Sequence, residues 1–90
     1  MPERRRRATA LHYEEGGGAP KVVASGQGLI ADRIIEIAKE AGVPIRSDAA
    51  LTEALSALDI GSEVPEEMWQ AVAETLAWAY RLDLRATQPR

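Results

Sequence analysis

Ninety residues with 46% hydrophobic and 28% charged content describe one small globular domain with a modest core. With no cysteine, disulfides, thiolate metal sites and cysteine nucleophiles are excluded, and no apolar run approaches the roughly 18 residues of a membrane span. The net charge of −3 is uneven: residues 1–8 carry four arginines against one glutamate, and residues 9–90 carry seven basic against thirteen acidic side chains. The acidic body is a poor electrostatic match for phosphate backbones. The arginines have no apolar segment after them, so they do not form a secretory signal, and a cytoplasmic location is expected.

In chain order, residues 1–7 have adjacent like charges and no apolar periodicity, and are expected to form a flexible basic tail. Residues 8–82 are expected to be the folded domain and residues 83–90 a frayed tail. Ala8–Tyr13 alternates small or apolar with polar residues and predicts a strand. Glu14–Gly18 ends in three glycines and predicts a flexible hairpin connection to a second strand at Val22, Val23 and Ala24. Ser25–Gly28 breaks that strand. Leu29–Ala41 predicts a helix whose apolar face is Ile30, Ile34, Ile37, Ala38 and Ala41, with Gly42 as its C′ residue. Val43–Ile45 predicts a third strand, parallel to the second through a right-handed crossover. Val23 and Ile34 are expected in the core.

Ser47 or Asp48 can cap a second helix with the stripe Leu51, Ala54, Leu55 and Leu58. Asp59–Pro65 is a connector, and Glu66 and Glu67 suit the positive end of a third helix reaching about Leu82. Its core-facing stripe is Trp69, Val72, Ala73, Leu76 and Tyr80, with Trp78 off to one side. The expected fold is α/β (α+β): a small mixed sheet of about three strands packed by three helices, in the order β-β-α-β-α-α.

Little here can carry chemistry. His12 is the sole histidine, without a visible nucleophile or orienting partner, and one histidine without cysteine makes no transition-metal site. Ser25–Leu29 stands where a phosphate loop would, but it lacks a third glycine and a lysine, so it reads as a strand-to-helix turn. Arg4–Arg7 offers an alternative function, binding to nucleic acid or an anionic surface; without interleaved aromatics, a solvated tail is the simpler reading. Glu66, Glu67 and Glu74 show no paired acid and base. No enzyme activity and no cofactor are expected.

Several segments in order resemble one family: Ala10-Leu11 with Tyr13, Ala19-Pro20 with Val22-Val23-Ala24 and Gly26, Val43-Pro44-Ile45, Ile60-Gly61 with Val64-Pro65-Glu66, and Ala71-Val72-Ala73-Glu74. The chain is similar over Ala8–Leu82 to the C-terminal cytoplasmic domain of the FlhB/YscU export-switch proteins of flagellar and type III secretion. That family has a transmembrane region before this domain and a self-cleaving asparagine-proline-threonine-histidine turn. Alignment on Leu11 and Tyr13 places the turn at Glu3–Arg6, and the chain contains no asparagine, so the resemblance carries no self-cleavage. Ser25 stands where the family usually has lysine.

The resemblance implies a free-standing counterpart of the released C-terminal half. It also implies a non-enzymatic interaction module in the cytoplasm, peripheral to the export gate. The implied partners are exported rod- or hook-type proteins, export-gate proteins or a truncated FlhB, with no nucleic acid and no membrane insertion. By position, Ala19, Pro20, Ala73 and Leu76 match a small apolar patch that the family uses for early export substrates. The same Ala73 and Leu76 lie on the stripe expected to face the core.

Overall fold

A computed structural model describes residues 6–14 and 16–87, with side-chain environments through residue 82. Two strands, β1 (Arg7–His12) and β2 (Lys21–Gln27), form an antiparallel hairpin. Helix α1 (Leu29–Ala41) follows, then α2 (Ala49–Leu55) and α3 (Trp69–Thr87), the last preceded by a 3-10 turn at Glu66–Met68. The mixed α/β class and the three helices agree with the sequence reading; the strand count does not.

Val43–Ile45 is not a strand. It runs irregular and exposed from α1 toward α2. Pro44 removes the donor from the middle of this three-residue run, so it can hold no regular ladder. The second edge of β2 is taken instead by residues 61–64, which the sequence reading left as a connector. Gly61 N donates to Val22 O (2.6 Å), Val22 N to Ser62 O (3.0 Å) and Val64 N to Pro20 O (2.8 Å), around an antiparallel bridge between Lys21 and Glu63. The expected parallel crossover is therefore replaced by an antiparallel return from farther along the chain.

The hairpin contains a bulge. Ala10 pairs with Ala24, but the next residue, Leu11, pairs with Val22, so Val23 is an extra residue on β2. This corrects the expected core. Val22 is fully buried, whereas Val23 is 51% exposed. β2 also runs on through Ser25, Gly26 and Gln27, leaving only Gly28 as the turn into α1.

Helix α1 has the expected bounds and the expected glycine stop. Gly42 takes φ 75° and ψ 21°, and Gly42 N and Val43 N bond back to Lys39 O and Ala38 O (3.2 and 2.9 Å), satisfying carbonyls that the helix end would orphan. Its packed face, however, is Ala31, Ile34, Ile35 and Ala38, one step around from the expected stripe. Ile37 is exposed and Ile30 is 62% exposed. The helix runs close against the sheet at Gly26, where a Cβ would overlap the Ile30 side chain. The small Ala31, which has no exposed surface, permits that approach.

In α2, Asp48 is the cap: its Oδ1 accepts from Leu51 N at 3.1 Å. Leu55 is buried, and Leu51 and Leu58 pack beside it as expected. The core is Val22, Leu55, Val64 and Val72, flanked by Leu11, Leu51, Leu58, Met68 and Leu76. The 3-10 turn faces it with Met68, and helix α3 with Val72 and Leu76. Trp69, Ala73 and Tyr80 are exposed, against the expected stripe, while Trp78 is half-buried. The helix continues to Thr87, past the expected end at Leu82.

Of the expected basic tail, residues 1–5 lie outside the described residues. Arg6 and Arg7 belong to the fold: Arg6 pairs with Asp32 (3.0 Å) and Arg7 with Glu53 (3.8 Å).

Candidate functional site

The four residues expected to bind a partner have different surroundings. Ala19 is half-buried and Pro20 buried, at the start of β2. Ala73 is exposed, and Leu76 is half-buried against the core cluster. Leu76 therefore does structural work, as its place on the stripe implied, whereas Ala73 belongs to the surface.

A hydrogen-bonded relay ties the two halves of this set into one corner. Val64 N donates to Pro20 O (2.8 Å), and the Trp69 indole Nε1 donates to Val64 O (2.8 Å). Pro20, Val64 and the first turn of α3 are thus fixed to one another. Trp69 and Ala73 lie four residues apart, and Ala73 and Leu76 three apart, so they form one ridge of the helix. Trp69 is 45% exposed, with its polar edge satisfied and part of its apolar body facing water.

Sequence reasoning placed Trp69 in the core and so missed it as a surface group. The signal was present: an indole in the first turn of a helix has to find an acceptor for its N–H, and the preceding connector supplies one. Ile60 is also exposed in the turn that pairs with β2. Trp69 and Ala73 are the exposed apolar groups of this corner.

The remaining candidates stay apart. His12 is exposed, with Nε2 3.3 Å from Glu14 Oε1. Gly28 N, in the strand-to-helix turn, donates to Arg6 O at 2.8 Å. Among the described residues no group of three or more histidine, cysteine or acidic side chains could hold a metal ion, and no helix is long and apolar enough to cross a membrane.

Residues 5–79 match the FlhB HrpN YscU SpaS Family. The chain is similar to YlqH of Bacillus subtilis (strain 168), 46% identical over 79 residues that cover 87% of this chain and 85% of that protein. It is also 46% identical over 77 residues to the flagellar biosynthetic protein FlhB of Escherichia coli (strain K12), covering 83% of this chain but 20% of FlhB. The fold matches the cytoplasmic domain of FlhB from Shewanella putrefaciens with a TM-score of 0.84 at 29% identity, over 93% of this chain and 70% of that one. A mutated EscU/SpaS C-terminal domain gives a TM-score of 0.79 at 26% identity, over 83% and 95% of the two chains. With the match running through both strands, all three helices and the Val64 return, the chain belongs to the FlhB/HrpN/YscU/SpaS family.

Proposed function

We propose that this chain is a non-enzymatic component of flagellar or type III protein export that works at the cytoplasmic side of the export gate. Its partners are exported proteins of the rod and hook type, or export-gate proteins. The observation that carries this reading is the extent of the likeness to FlhB: nearly the whole chain matches the FlhB cytoplasmic domain in both sequence and fold. Ala19, Pro20, Ala73 and Leu76 mark the docking surface: Ala73 and the half-buried Ala19 are its accessible part with Trp69 as aromatic flank, and the buried Pro20 and core-packed Leu76 support it from beneath.

The chemistry fits weak, reversible recognition. A passing polypeptide can lay a few apolar side chains against Ala73 and the open part of Trp69, while the relay through Val64 holds the surface in shape. Such a small interface gives modest affinity, because ordering the partner costs as much as a few contacts return. The alternative, an anionic-surface binder using Arg4–Arg7, is weakened by the pairing of Arg6 and Arg7 with acids of the fold.

The test is an NMR titration of the labelled protein with early flagellar export substrates from the same cell. Shifts at the Ala73 and Leu76 amides and the Trp69 indole N–H are expected. Binding with shifts only at Arg4–Arg7, abolished by moderate salt, would overturn the reading in favour of the alternative.

A further inference from the structure

The outer edge of β1, away from β2, is the feature of the fold that the proposed function leaves unused. Among the described residues β1 has one strand neighbour, β2. Two sets of bonds fix which of its backbone groups face away from that neighbour. Gly28 N donates to Arg6 O, which marks Arg6 and Gly28 as a hydrogen-bonded pair, so the alternation of an antiparallel ladder turns Arg7 and Thr9 outward. At the other end Val22, opposite Leu11, spends both its backbone groups on Ser62 and Gly61 at the far edge, so Leu11 also faces outward. Arg7, Thr9 and Leu11 therefore present N–H and C=O groups at every second residue, with no backbone partner among the described residues.

This edge does not face open solvent. It lines a groove of about 1030 Å³. All six residues from Arg6 to Leu11 contribute to the wall, although alternate side chains of a strand point to opposite faces; the strand lies edge-on to the groove. The other walls come from all three helices and the irregular segment: Ile34 and Ile35 of α1, Val43 and Ile45, Leu51 of α2, and Trp78 of α3 are apolar, while Thr52 and Glu53 of α2 add polar groups. One charge at the rim lacks a counter-ion. Arg46 donates to Thr75 Oγ1 (3.2 Å) but forms no salt bridge among the described residues. The nearby acids are engaged, Asp48 in capping α2 and Glu53 with Arg7.

We infer that this groove takes an extended segment of an exported polypeptide, which adds to the sheet as a strand along Arg7–Leu11, buries alternate apolar side chains and places a carboxylate against Arg46. Five residues of extended chain span about 17 Å, long enough to engage all three outward pairs. The main-chain bonds are indifferent to sequence, and the apolar walls and Arg46 supply the preference. The origin of the segment rests on the export reading above; the strand-addition site itself stands on the geometry of β1.

The test uses the whole 90-residue protein and capped heptapeptides of alternating valine and threonine carrying one glutamate. Expected are slowed amide exchange at Arg7, Thr9 and Leu11, and roughly tenfold weaker binding with Arg46→Glu, restored when the peptide glutamate becomes lysine. N-methylation of alternate peptide amides should abolish binding. Thr9→Pro removes one outward donor and should weaken it; should that variant misfold by circular dichroism, Arg46→Glu and the methylated peptide decide. Absence of edge protection at millimolar peptide would overturn the proposal. So would protection without peptide that rises with protein concentration alongside a dimer in sedimentation, which would assign the edge to a second copy. Because these signals lie on β1, they are read separately from shifts at Ala73 and Trp69, with Leu76, which borders both surfaces, left out of the comparison, so either reading can fail alone.

Discussion

The bulge in the hairpin makes opposite demands on two adjacent valines, and substitution to alanine measures them. Val22 has no exposed surface, and its side chain packs in the central cluster. Val22→Ala removes two buried methyl groups, worth about 1.6 kcal/mol at roughly 0.8 kcal/mol each. The void left beside Leu55, Val64 and Val72 adds roughly 1 kcal/mol, for a total of about 2–3 kcal/mol. In a domain of this size that lowers Tm by roughly 10 °C or more. Val23 is half exposed and unpaired across the ladder, so Val23→Ala should cost about 0.5 kcal/mol or less. Urea unfolding followed by tryptophan fluorescence measures both, and an unchanged m-value shows that the same transition is compared. Equal losses for the two variants, or a larger loss for Val23→Ala, would refute the placement of the bulge.

Three further outcomes follow from single contacts. Asp48→Ala removes the acceptor for Leu51 N and should destabilise the domain by about 1 kcal/mol, whereas Asp48→Asn should cost little, by the same unfolding assay. Gly26→Ala places a Cβ 2.9 Å from Ile30 Cβ and in overlap with Ile30 Cγ2, so α1 must lift from the sheet. The expected cost is about 1–3 kcal/mol, and Gly26→Ala combined with Ile30→Ala should recover part of it in a double-mutant cycle. Trp69→Phe keeps the ring but leaves Val64 O without its indole donor, at a cost of about 1 kcal/mol. A thermal melt at unchanged Tm would show that the relay contributes nothing.

The parts of the fold written in local chemistry were legible. Gly42 ends α1 because a left-handed C′ position suits glycine, and Asp48 caps α2 because its carboxylate reaches a free N–H; both signals sit within four residues of their effect. The third strand position was not legible locally. Residues 61–64 carry no β-branched run, and they pair with β2 because the chain returns there after α2, a long-range contact that no periodicity announces. Val43–Ile45 has the better strand composition but lacks a donor at Pro44. At the candidate site, the helix pattern mistook Trp69 for core. A stripe drawn at 69, 72, 73, 76 and 80 and one drawn at 68, 72 and 76 differ by little rotation, and only the position of the sheet chooses between them.

That ambiguity has one physical origin. A chain of 90 residues cannot enclose all its apolar side chains, because surface grows too quickly relative to volume at this size. Among the described residues five hydrophobic side chains of the core are buried, while Leu29, Ile30, Ile37, Ile60, Trp69 and Tyr80 are exposed. A sequence reader sees more apolar positions on α1 and α3 than the core can accept, and so assigns faces too generously. The same excess bears on function. Part of that surplus surface is tied down by hydrogen bonds, Trp69 through Val64 to Pro20, and the groove beside β1 is lined by all three helices and the segment around Pro44. A partner docking as proposed would meet side chains already held by these contacts, which lowers the ordering cost on this side of the interface. Under the proposed function, in which a passing polypeptide is engaged and released, such surplus surface suits the task better than a deep pocket would, since it gives contact without high affinity.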